Sequence, residues 1–248
     1  MLREWDEHGL VLRVGRFRET DIWLRTLCKT HGITTLFAFG ASRSRKRFCG
    51  CLDVFNTLHC HIRVAKNGRF LNLQEAVLLT GPQRLRHNWQ RMGLAANCLR
   101  FVESLDVPPE NATEVFDLVE DLRCTLESAP HLSSLLPLFF RLRVAGASGL
   151  APQLYRCGSC GVHLHGDAIF LADEGQIRCA SCKTRTAYTT QLSGAALSLL
   201  RHVRDTAPSA WPSKGLAPPE HRACARAIDG FVQYHLGLVF DEGRFRRI

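Results

Sequence analysis

Cys157, Cys160, Cys179 and Cys182 are the residues of this chain whose type and spacing point most directly to chemistry. They read Cys-Gly-Ser-Cys, eighteen intervening residues, then Cys-Ala-Ser-Cys. Two thiolates three positions apart on a tight turn grip one side of a tetrahedral ion. A second pair, returned by a short hairpin, closes the other side. Gly158 and Gly161 suit the first turn, because glycine tolerates positive φ. The pattern points to one structural zinc ion per chain: protein fills all four positions and none is left for a catalytic water. The alternatives, two disulfides or four unrelated thiols, are disfavoured by the paired spacing. His163 and His165 are rival ligands in sequence, but beside a complete four-cysteine set they read as bystanders.

The module that positions the quartet covers residues 151–191, with 169–171 and 176–178 as arms of the hairpin between the knuckles. Upstream, five runs read as strands: 8–14, 22–27, 33–39, 54–64 and 70–79. Polar segments or turns such as His31-Gly32 and Asn67-Gly68 separate them. Five strands with hardly a helix-length segment between them suit a small OB-fold barrel. Between the third and fourth lies Gly40-Ala41-Ser42-Arg43-Ser44-Arg45-Lys46-Arg47-Phe48, the densest basic cluster in the chain. Arg43, Arg45, Lys46 and Arg47 suit a phosphate backbone, and Phe48 suits stacking on a base. The plainer reading is a solvated charge run with Phe48 packed inward. Position on a barrel favours the first.

From Pro82 the hydrophobic period lengthens to about 3.6. Leu85, Trp89, Met92, Ala96 and Leu99 fall on one helical face and read as core. Val115, Leu118, Leu122 and Leu126 form a second stripe, and Leu132, Leu135, Leu136, Phe139 and Leu142 a third. Beyond the cysteine module, Ser193 is an N-cap for a helix carrying Leu197, Leu200 and Val203. A Pro-rich loop over 206–219 leads to a last helix with Cys224, Ile228, Phe231, Val232 and His235, stopped at Gly237. The expected architecture is α+β and multidomain. An OB-fold nucleic-acid-binding barrel occupies 1–80, a helical bundle occupies 81–150 and 192–248, and the four-cysteine zinc module is inserted at 151–191.

The formal charge is +9, an excess that favours a polyanionic partner, nucleic acid before a membrane surface. The apolar runs are short and carry charges, so no membrane span is expected. No export signal is evident at the N-terminus, and of the eleven cysteines those outside the quartet are scattered, which fits a reducing cytoplasm. Cys28, Cys49, Cys51, Cys60, Cys98, Cys124 and Cys224 read as packed or incidental thiols, Cys49-Gly50-Cys51 being the one conceivable redox pair.

Taken together, the chain resembles the RecO family of bacterial DNA repair and recombination mediators over essentially its whole length. The resemblance is carried by Gly9-Leu10-Val11-Leu12-Arg13, Glu19-Thr20-Asp21, His31-Gly32 and Gly40-Ala41-Ser42-Arg43. It continues in the two cysteine knuckles and in Tyr234-His235-Leu236-Gly237 with Arg244-Phe245, similar to that family's C-terminal helix and tail. It implies a non-enzymatic, nucleoid-associated protein that binds single- and double-stranded DNA. Such a protein anneals strands coated by single-stranded DNA-binding protein (SSB) and acts with RecR to load the RecA recombinase. The acidic SSB tail is then expected on the helical bundle. Arg43, Arg45, Lys46 and Arg47 match the family's DNA-binding loop, although Ser42 and Ser44 stand where relatives often carry further basic residues.

Two other functions compete. A zinc-ribbon transcription or RNA-binding regulator would show sequence preference. An enzyme would need a carboxylate cluster, a nucleophile with its base, or a Gly-rich phosphate loop, and the chain offers none of these patterns.

Overall fold

Every second side chain of the early strands turns inward, and that alternation builds the first unit. In a computed structural model, which describes residues 4–66, 68–182, 188–211 and 217–248, the five expected strands all form. They are β1 (Glu4–Arg16), β2 (Ile22–Cys28), β3 (Gly32–Ala38), β4 (Thr57–Val64) and β5 (Leu71–Thr80). They close into a barrel in the order β1-β2-β3-β5-β4, with β4 returning to β1. Closure needs β1 to serve two partners: Glu4 to Leu10 pair with β4, and Gly9 to Arg16 pair with β2. A register shift between Val11 and Arg13 bends the strand at that handover, as bulges do in closed sheets. β3 and β5 meet in parallel at Leu36↔Leu71 and Phe37↔Asn72.

Val11, Leu24, Leu36, Ala38, Leu58, Cys60, Ile62 and Leu73 fill the barrel. Phe48 and Cys51, from the loop between β3 and β4, plug the same core. The β2–β3 turn works because Gly32 has φ 70 and a Cβ there would collide with the carbonyl of Val107. Asn67 of the expected Asn67-Gly68 turn lies outside the described residues.

The chain divides into two compact units. One runs to Trp89 and adds Leu105–Val119; the other holds Gln90–Ser104 and Glu120–Ile248. The helices are α1 (Trp89–Ser104), α2 (Pro109–Ser128) and α3 (Leu136–Ala147) before the cysteines. The stripe Val115, Leu118, Leu122 and Leu126 of α2 is buried as expected. For α1 the expectation fails: Trp89 is 82% and Met92 38% exposed, and the buried face is Ala95, Cys98, Leu99, Phe101 and Val102. Leu85, from which that stripe was phased, is buried in a separate 3-10 turn (Leu85–His87), so its phase does not carry into α1.

The cysteine module is a four-stranded sheet of β6 (Gln153–Cys157), β7 (Ala168–Leu171), β8 (Gln176–Arg178) and β9 (Thr189–Leu192), ordered β6-β8-β7-β9. The expected hairpin is present as Ile169↔Arg178 through Leu171↔Gln176. α4 (Gly194–Asp205) starts at Ser193, whose Oγ accepts the Ala196 N–H at 3.2 Å. α5 (Pro218–Leu236) ends at Gly237, left-handed with φ 61. Both pack on α3. Residues 212–216 of the Pro-rich loop lie outside the described residues. The C-terminal segment, expected as a tail, is instead a hairpin of β10 (Leu238–Asp241) and β11 (Arg244–Arg247). Its turn residues Glu242 and Gly243 have φ 45 and 76.

Candidate metal centre and nucleic-acid interface

β6 delivers Cys157 at its last residue, and the chain then folds back so that the Gly161 N–H donates to the Cys157 carbonyl at 2.9 Å. That turn places Cys160 beside Cys157. β8 ends one residue before Cys179, and a 3-10 turn (Ala180–Cys182) brings Cys182 round, its N–H donating to the Cys179 carbonyl at 3.1 Å. The four Sγ atoms lie within 4.8 Å of one another, with Cys160 and Cys179 at 3.8 Å. Four thiolates about 2.3 Å from a tetrahedral ion sit roughly 3.8 Å apart, so the cluster is close to ligand geometry. Among the described residues it is the one group of three or more His, Cys, Asp or Glu donors close enough to share an ion. His163 and His165 stack on each other at 4.8 Å and stay outside it.

Burial pushes the Cys157 thiol up, but N–H groups of Cys160, Cys179 and Ser159 outweigh it and bring it down to about 6. Cys182 is held up at about 12, first by hydrogen bonds shared with Cys179 and Cys160, then by burial. Without a cation, four thiolates at this distance repel one another. A soft all-sulfur donor set of this size can hold a metal ion, and its chemistry fits zinc.

Of the other cysteines, Cys28 and Cys224 are pushed by burial to about 12 and Cys51 to about 11; Cys60 and Cys98 are also pushed up by burial. These five are packing thiols. Cys49 is exposed and its Sγ donates to the carbonyls of Arg45 and Lys46.

The basic segment leaves β3 through Gly40, whose N–H donates to the Asp21 carboxylate at 2.7 Å. The Ser42 N–H donates to the Thr20 carbonyl at 3.0 Å, and a 3-10 turn covers Ala41–Arg43. Ser44 Oγ accepts the Arg47 N–H at 3.1 Å, and the Arg47 carbonyl accepts from Ala76 of β5 at 2.9 Å. The segment is therefore pinned to the barrel at both ends, with Arg43, Arg45, Lys46 and Arg47 all exposed. Arg47 spends one donor, Nη2, on the Phe39 carbonyl at 2.6 Å. Phe48 is 1% exposed in the barrel core, so the expectation that it stacks on a base is overturned. The same inward turn that buries it sets its charged neighbours outward.

One feature of the second unit was invisible in the sequence. Arg141 of α3, almost fully buried, pairs with Asp229 at 2.7 Å and Asn97 at 3.1 Å, while Phe240 and Phe245 cover its guanidinium at 5.1 and 4.9 Å. Among the described residues its Nε has no hydrogen-bond partner. These residues line a cavity of about 370 Å³ whose other walls include Pro137, Leu138, Val232 and Leu238. An arginine on a helical stripe reads as surface until the C-terminal hairpin is folded over it.

Compared with known families, residues 1–82 match the model described as Recombination protein O N terminal, and residues 86–241 match Recombination protein O C terminal. The chain belongs to the RecO family. It is 44% identical over 250 residues to the DNA repair protein RecO of Nitratidesulfovibrio vulgaris strain DP4, covering 99% of this chain and 100% of that one. The corresponding RecO proteins of Oleidesulfovibrio alaskensis and Lawsonia intracellularis are 42% and 36% identical, each again over 99% of this chain and 100% of theirs. Among the described residues no helix is long and apolar enough to cross a membrane.

Proposed function

We propose that this member of the RecO family is a DNA repair and homologous recombination mediator that works without covalent chemistry. The observation that carries the reading is the pinned basic segment: four exposed cations, Arg43, Arg45, Lys46 and Arg47, displayed on a closed five-stranded barrel of OB-fold strand order. These cations neutralise phosphates of single or double strands, which lowers the repulsion opposing pairing of two strands.

The helical unit receives the acidic C-terminal tail of SSB. The Arg141 cavity supports this, because an arginine and the apolar walls of Pro137, Leu138, Val232 and Leu238 line one concavity, which suits a carboxylate beside an apolar side chain. Docking concentrates the protein on SSB-coated DNA, partial displacement frees bases, and the strands anneal or, with RecR, accept RecA. The zinc module is scaffold. Its four protein ligands leave no open coordination position, so it orders the sheet β6-β8-β7-β9 and does no catalysis. The place of action is the cytoplasm, on the nucleoid.

The test is RecA filament formation on SSB-coated single strands with RecR present. Omitting this chain should slow loading, and equal loading with and without it would refute the mediator role.

A further inference from the structure

Two carboxylates are buried among the described residues, Glu7 and Asp21. Glu7 is taken up by Thr30 and His31 of the β2–β3 turn. Asp21 stands immediately before β2, is 7% exposed, and lies at the foot of the basic segment. A buried charge costs stability unless its partners compensate it, so the partners of Asp21 show what the residue does.

The shortest contact is to the root of the segment itself: Asp21 Oδ1 accepts the Gly40 N–H at 2.7 Å. The same oxygen accepts the Thr20 hydroxyl at 3.3 Å, and Arg18 lies 3.9 Å from Oδ2. Gly40 has φ 66, and its carbonyl accepts the Arg43 N–H at 3.2 Å, so the carboxylate acts on the residue from which the 3-10 turn Ala41–Arg43 starts. The Thr20 carbonyl takes the Ser42 N–H at 3.0 Å. Thr20 and Asp21 thus clamp Gly40 and Ser42, one on each side of the buried Ala41. Arg43 is the next residue, with Arg45, Lys46 and Arg47 beyond it.

By charge alone Asp21 is in the wrong place, since an anion beside four cations opposes their hold on phosphate. Salt limits that repulsion, which falls off over about 8 Å at physiological ionic strength. Fixing the root of the segment acts on all four cations at once, because a loop already ordered loses less conformational entropy when it meets its ligand. A charge-assisted bond from a backbone N–H is among the stronger ways to fix it.

We propose that Asp21 is a positioning residue for DNA binding. Its buried carboxylate holds the root of the basic segment so that Arg43, Arg45, Lys46 and Arg47 meet phosphates in register, and this gain exceeds the repulsion of its own charge. The proposal rests on the phosphate-binding reading of that segment.

The experiment is fluorescence anisotropy of the full chain with a single-stranded and a duplex oligonucleotide across a salt series. The variants are Asp21→Ala, Asp21→Asn and Arg43→Ala/Arg45→Ala/Lys46→Ala. Both Asp21 variants remove the negative charge, but only Asn keeps an acceptor oxygen for the Gly40 N–H. Positioning predicts that Asp21→Ala binds both probes about tenfold more weakly, the order set by one charge-assisted hydrogen bond. Its slope of log affinity against log salt should also shrink by about one, as a displaced cation leaves its phosphate. Asp21→Asn should stay close to wild type on both counts. Tighter binding by both Asp21 variants would mean that only the charge matters, and would overturn the proposal. So would weaker binding by Asp21→Ala at the wild-type slope, because a variant that is merely less stable has fewer folded molecules with unchanged phosphate contacts. The basic-segment variant separates the two claims. If it weakens binding while Asp21→Ala does not, the phosphate reading stands and positioning falls. If it changes nothing, the phosphate reading falls and the proposal falls with it.

Discussion

Cys160 and Cys179 are nineteen positions apart in sequence, and their Sγ atoms are 3.8 Å apart in the structure. Two turns of different type, one after β6 and one after β8, converge to make that distance. Each turn is short and closed by a backbone hydrogen bond across it, so the ion is expected to contribute much of the module's local stability. Purified without chelator, the protein should contain one zinc per chain by elemental analysis. Cys-to-Ser change at any of the four positions should remove it and raise hydrogen exchange across 153–192 while leaving the barrel protected. Protein that carries no zinc but shows the same protection would contradict this.

Replacing Arg43, Arg45 and Arg47 together by Ala should weaken binding to all DNA sequences alike. The slope of log affinity against log salt should shrink by about one for each phosphate left unneutralised. Arg47 differs from the other two, because it also braces the Phe39 carbonyl. Titration across a salt series checks the prediction, and an unchanged slope would move the phosphate-binding surface elsewhere.

Phe48 belongs to stability. Phe48→Ala should cost about 3–5 kcal/mol of barrel stability through the cavity it leaves, read by denaturant unfolding. Native-level stability in that variant would mean that the segment does not plug the core.

Most of the barrel was legible because strand alternation is a local signal, and Leu24, Leu36 and Ile62 obey it. The hairpin between the knuckles and the Ser193 cap were legible for the same reason. What escaped was decided at long range. Phe48 follows four cations, where stacking on a base and packing inward were both open, and the closure of the loop over the barrel decides for the inside. β6, β9, β10 and β11 are only 4 or 5 residues long, too short for a period to emerge. The Glu242-Gly243 turn was the available clue to the last pair. Phe17, Phe37, Phe39 and Phe70 come from three separate stretches, and only closure of the sheet makes them one surface.

Arg141 should be the anchor of SSB-tail docking. Arg141→Lys keeps the charge but loses the planar fork that bridges Asp229 and Asn97, so it is not a conservative change. Anisotropy of a labelled SSB C-terminal peptide should report about tenfold weaker binding, of the order expected for a charge-assisted hydrogen bond. DNA affinity of the barrel should stay the same. Wild-type peptide affinity in this variant would place the tail elsewhere.

Ser193 closes the α4 start and also donates to Glu220 of α5 at 2.8 Å. Ser193→Ala should therefore cost about 1 kcal/mol or somewhat more, measured by thermal unfolding.

The most direct test of the central claim is annealing of complementary oligonucleotides pre-coated with the cognate SSB, with no nucleotide added. The mediator account predicts faster annealing with this protein, and loss of that gain when the SSB tail is deleted. No acceleration, together with tight binding to one particular duplex or RNA, would contradict it and indicate a zinc-ribbon regulator.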